Sequence, residues 1–69
     1  MSDEVEVRGE SIRLGQLLKV VGVVDSGAEA KAVLAEEEVR VNGEPESRRG
    51  RQIRPGDVVT VRGREIRAR

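Results

Sequence analysis

The chain has 69 residues, 13 of them basic and 13 acidic, with a formal net charge of zero and no Cys, His, Phe, Tyr or Trp. One small domain, 1–69, is expected, with a thin core, because a chain of this size buries only about 60% of its unfolded surface. The missing side chains exclude a disulfide frame, a zinc site of the usual ligands, recognition of bases by aromatic stacking, and most acid–base or nucleophilic chemistry. No enzyme activity, metal or cofactor is expected.

The first ten residues, "MSDEVEVRGE", are acidic and lack the apolar segment of a signal peptide. No apolar run approaches the roughly 18 residues of a membrane span, so a cytoplasmic location is the default reading. Within this segment Val5–Val7 alternates and reads as a short edge strand. "SIRLGQLLKVVG" then places Leu14, Leu17, Leu18 and Val21 at i, i+3, i+4 and i+7, one face of a helix that Gly22 would stop. After "VVD", Ser26 and Glu29 have capping-box spacing, and the Ala-rich stretch beyond them reads as a second helix with a stripe of Ala30, Val33 and Leu34.

Beyond residue 38 the period shortens to two. Val39 and Val41 alternate with Arg40, and Asn42-Gly43 is a strong hairpin signal. Pro55 and Gly56 fit the central positions of a type II turn. "VVTVRGREIRA" reads as a further hairpin, with a turn at Gly63-Arg64 and with Val59, Val61, Ile66 and Ala68 pointing inward. The expected fold class is α+β, two short helices packed on a small antiparallel sheet. Leu14, Leu17, Leu18, Val21, Val33, Leu34, Val41, Val59 and Val61 are its expected core.

The zero net charge conceals an asymmetry. Residues 1–46 hold eleven acidic and five basic side chains, whereas residues 47–69 hold two acidic and eight basic ones. Such a split points to an anionic partner. Its densest part is "ESRRGRQIRPGD", where Arg48, Arg49 and Arg51 flank Gly50. Guanidinium groups suit bidentate phosphate contacts, and glycine lets a backbone approach a ligand closely.

"IRLGQLL" (12–18), Gly22, "SGAEAKAVL" (26–34), "VRVNG" (39–43) and "RPGDVVTV" (54–61) together resemble, in order and spacing, the RNA-binding domain named after small-subunit ribosomal protein S-four. This domain is also called the αL motif. The motif core is 12–61, and the wording is most similar to small stand-alone bacterial members such as the YbcJ-like proteins. The resemblance implies non-catalytic binding of structured RNA, ribosomal or tRNA-like, by a monomer with no membrane or small-molecule partner. By position it implies RNA contacts at Arg13, at Ser26 and Gly27, and in the basic loop with Arg48, Arg49 and Arg51. Many members carry Arg directly after the serine, where this chain has Gly27. Lys31, one turn later, is the candidate to supply that charge.

Other readings stand beside these. Ser26 suits a helix cap better than a nucleophile. Glu36, Glu37 and Glu38 read as a solvated helix end, and Arg62, Arg64, Arg67 and Arg69 as charges coating an exposed strand edge. "VRVNGE…RPGDVVTV" is also similar to β-grasp carriers, although these end in Gly-Gly and this chain ends "REIRAR". A protein–protein adaptor using the acidic helices is the remaining alternative.

Overall fold

The leucines of the first periodic stretch do form one face of a helix, but a shorter one than the pattern suggests. In the computed structural model, which describes residues 2–69, α1 spans Leu14–Val20 and buries Leu14, Leu17 and Leu18. Ile12 and Arg13 form a two-residue strand, β2 (Ile12–Arg13), ahead of it. Gly22 ends the helix at φ +80. The Val23 N–H reaches the Leu18 carbonyl at 3.0 Å and the Gly22 N–H that of Lys19 at 3.1 Å, the paired bonds of a Schellman stop. This stop folds Val23 and Val24 inward, and both are buried. α2 (Gly27–Glu36) opens on Ser26, whose hydroxyl accepts the Glu29 N–H. Glu29 reciprocates one residue early, accepting the N–H of Asp25 at 2.6 Å.

The remaining chain is β-structure: β3 (Val39–Val41), β4 (Glu44–Pro45), β5 (Gln52–Ile53), β6 (Val58–Val61) and β7 (Arg64–Ala68), with β1 (Ser2–Val5) added from the N-terminus. The main sheet has the order β1-β7-β6-β3-β4, and β2 and β5 form a second, two-stranded ladder. All pairs are antiparallel except β1 with β7. Val39, Val41, Val59, Val61, Ile66 and Ala68 face the helices and are buried. The α+β class, helix pair on a small sheet, is therefore observed.

Three sequence readings need adjustment. The N-terminal edge strand lies at Ser2–Val5 rather than Val5–Val7, and bonds of 2.7 Å (Val7 N–H to Arg69 O) and 2.9 Å (Arg69 N–H to Val5 O) carry its contact with the C-terminus onward. The last hairpin turns at Arg62-Gly63, one residue earlier than expected. Both residues have positive φ, 52 and 74, as a two-residue hairpin loop requires. Finally, β7 is an interior strand, so its arginines do not coat an edge. Arg62 makes a two-toothed ion pair with Glu37, and Arg64 donates to Asp3 and to the Val21 carbonyl. These two side chains tie the sheet to the helix layer.

Asn42 and Asp57 show why the "VNG" and "PGD" stretches occur together. Asn42, at φ 53, donates from its amide to Asp57 at 3.1 Å and accepts the Val58 N–H at 2.9 Å. Asp57 also takes the Arg54 N–H at 2.9 Å, closing the turn in which Gly56 sits at φ +99. Of the nine expected core residues, Val21 alone is half-buried and the others are buried.

Leu18 is 0% exposed at the centre of this layer. Leu18→Ala should cost about 2–5 kcal/mol. In a domain this small, a urea titration followed by far-ultraviolet circular dichroism should show most of the folded baseline lost.

Candidate nucleic-acid interface

A helix begins with backbone N–H groups that no carbonyl of its own can satisfy. α1 has no side-chain cap: Arg13 occupies the cap position and its side chain makes no capping bond. The arginine stretch caps it instead, through its backbone. The Arg51 carbonyl accepts the Leu14 N–H at 2.8 Å, and the Arg49 carbonyl accepts the Gly15 N–H at 2.9 Å. The β2–β5 pairing, Ile12 with Ile53 and Arg13 with Gln52, extends this seam, and Ile53 is fully buried beneath it.

Gly15 makes the close approach possible. A β-carbon there would lie 3.2 Å from Arg49 Cβ, tighter than ordinary packing. Anchored in this way, Arg49 extends over the start of α2, where a β-carbon on Gly27 would meet its Nη1 at 3.9 Å. A groove of about 320 Å³ results between the two helices and the loop. Its charged lining is Arg13, Lys19 and Arg49, and its remaining lining is Gly15, Gln16, Gly27, Ala30 and Gly50, with no carboxylate among them.

The other arginines of the stretch are differently placed. Arg48 and Arg51 both grip Glu46, whose side chain is only 9% exposed, at 3.1 Å and 2.8 Å. The Arg48 guanidinium, then its backbone N–H, then Arg51 hold the Glu46 carboxyl down at about 2. Asp57 is likewise lowered, chiefly by the Arg54 N–H and then by the Asn42 amide. Arg62 lowers Glu37, and Arg40 lowers Glu38. Each of these carboxylates is a fixed anion at neutral pH.

Of the residues singled out from the sequence, Arg13, Gly27 and Arg49 thus come together in one groove. Arg48 and Arg51 line a separate depression, together with Arg54, that meets the groove at Gly50. Ser26 spends its hydroxyl on the α2 cap, and Lys31 is exposed on α2 outside the groove lining. Lys19 was missed. It sits in the last turn of α1, and its i+4 spacing from Gly15 was the available signal. Among the described residues no group of three or more acidic side chains could hold a metal, and no helix is long and apolar enough to cross a membrane.

Comparison with known proteins gives an S4 domain match over residues 5–68. The chain is 48% identical over 63 residues to the Bacillus subtilis protein named "Probable ribosome maturation protein RlbA", covering 91% of this chain and 89% of that one. It is 38% identical over 55 residues to the Escherichia coli protein named "Putative RNA-binding protein YbcJ", covering 80% and 79%.

Two outcomes are expected from this geometry. Gly15→Val adds branches where even a β-carbon is crowded, so it should lift the loop off α1. Amide exchange at Leu14 and Gly15 should then speed up while the α2 amides stay protected. The second concerns acid. Because Glu46 titrates lower when folded than when unfolded, its stabilisation is complete above pH 4.5 and fades as pH falls towards 2. Asp57 acts in the same direction. Glu46→Gln should flatten the fall in urea midpoint across that window.

Proposed function

This chain belongs to the S4 domain family, and from that premise we propose that it is a non-catalytic module that binds structured RNA, ribosomal or tRNA-like, in the cytoplasm. The observation that carries the reading is the groove between the helices, with three cations and no carboxylate in its lining. Phosphate is the ligand such a groove suits, because guanidinium and ammonium groups meet it with charge-assisted bonds. The small residues of the floor let a sugar–phosphate backbone approach the main chain. With no aromatic side chain, recognition rests on phosphate, sugar and shape rather than on stacked bases. The relatives' names, one for ribosome maturation and one for RNA binding, agree with this partner class.

The same chemistry argues against turnover. The carboxylates with resolved shifts are all lowered, so they serve as ion-pair and hydrogen-bond acceptors and cannot exchange protons near neutrality. RNA-contact roles fall to Arg13, Lys19 and Arg49, with Gly27 as the space over which Arg49 lies. Arg48 and Arg51 have a secondary role because Glu46 already engages them.

The test compares two single-charge deletions by titration of a structured RNA at several salt concentrations. Arg49→Ala should weaken binding about tenfold and flatten the slope of log K against log salt by about 0.7–0.9. Arg67→Ala removes the same charge from an exposed position on the sheet and should change little. Arg62 and Arg64 are unsuitable controls, since deleting either would unpair Glu37 or Asp3. Equal losses from Arg49→Ala and Arg67→Ala would mean that diffuse charge, and not the groove, attracts RNA.

A further inference from the structure

The depression that meets the groove at Gly50 has a volume of about 670 Å³ and is lined by Arg48, Gly50, Arg51, Gln52, Arg54 and Asp57. Gly50 is the one residue it shares with the inter-helix groove. Glu46 engages Arg48 and Arg51 and not Arg49, and the loop's cations line two separate depressions that meet at Gly50.

We propose that this second face binds a second RNA strand, so that the loop straddles the two phosphate backbones of a duplex stem; the proposal rests on the RNA reading above. Donors remain for such contacts. Arg48 gives Nε and Nη2 to Glu46 and keeps Nη1. Arg51 gives Nη1 and keeps Nε and Nη2. The Arg54 guanidinium has no hydrogen-bond partner among the described residues, and Gln52 adds an exposed amide suited to a 2′-hydroxyl. Glu46 holds Arg48 and Arg51 in place, which lowers the ordering cost of their contacts.

The charge balance of the two faces fixes the order of events. Three arginines here stand against Glu46 and Asp57, whereas the groove has three cations unopposed. The second face is too nearly neutral to capture a strand by itself. Once the groove holds one strand of a stem, the other strand is present at a high effective concentration, and modest contacts then count. A lone strand offers no such partner.

The test uses a short RNA hairpin and an unpaired oligonucleotide of equal length, titrated with the intact protein. Arg51→Ala/Arg54→Ala should weaken hairpin binding about tenfold and leave the unpaired strand within about twofold. Arg54→Ala alone, which breaks no side-chain hydrogen bond or ion pair among the described residues, should show the same preference at smaller size, so a fold defect at Arg51 cannot produce the result. Equal losses on both RNAs would overturn the proposal, since one strand would then be wrapping the loop. So would no loss on either. Arg49→Ala should weaken both RNAs, and if it weakens neither, the groove reading itself fails, whatever the hairpin preference.

Discussion

Two backbone N–H groups at the start of α1 organise the candidate interface. Leu14 and Gly15 have no acceptor in their own helix, and an unpaired buried donor is costly. The carbonyls of Arg51 and Arg49 supply the acceptors, which fixes a loop of basic residues against a helix start. The partial positive charge of that helix end would repel guanidiniums. Carbonyl oxygens meet it instead, and the side chains radiate outward. Gly15 suits this contact because a β-carbon there would lie 3.2 Å from Arg49 Cβ, and the loop would have to give way to admit it. The groove is thus a consequence of a capping problem solved by a segment more than thirty residues away in sequence.

The neutral net charge follows from the same arrangement. Carboxylates are placed beside the arginines that hold the fold together: Glu37 with Arg62, Asp3 with Arg64, Glu46 with Arg48 and Arg51. Pairs as open to solvent as Glu37 with Arg62 contribute little stability one by one. Their larger effect is on the surface field, because they cancel cations wherever the fold uses them and leave Arg13, Lys19 and Arg49 uncancelled in one groove. A chain with zero net charge can therefore hold a locally strong attraction for an anion and avoid the indiscriminate binding that a large net positive charge would bring.

Local features of this design were legible in the sequence and long-range ones were not. The Leu14–Leu18 face, the Ser26 cap, the Asn42-Gly43 turn and the Pro55-Gly56 turn each depend on residues within one or two turns of chain, so periodicity and turn chemistry reveal them. The parallel contact between β1 and β7 depends on residues over sixty positions apart, and two-residue strands such as β2 and β5 have no period to read. The turn at Arg62-Gly63 was misplaced because glycine fits either central position, and only the Val61–Arg64 register decides between them. That Arg48 and Arg51 line one depression and Arg49 another was hidden for a related reason. Neighbouring side chains in a loop diverge, and the carboxylate that captures two of them could be recognised as their partner only from the fold.

Gly27 brings these strands together. Family members that carry Arg after the serine would place a guanidinium at the start of α2 from the helix itself. Here that position lacks a side chain, and Lys31 lies outside the groove lining. Yet a guanidinium lies nearby: Arg49 Nη1 is 3.9 Å from where a β-carbon of residue 27 would sit. A β-carbon there would meet Nη1 only at ordinary contact distance, so Gly27 and Arg49 are neighbours at the start of α2, one bare and the other charged. The charge beside the start of α2 thus comes from the loop. Because the loop is itself pinned by its carbonyls to α1, the backbone that carries Arg49 is fixed at the edge of the groove.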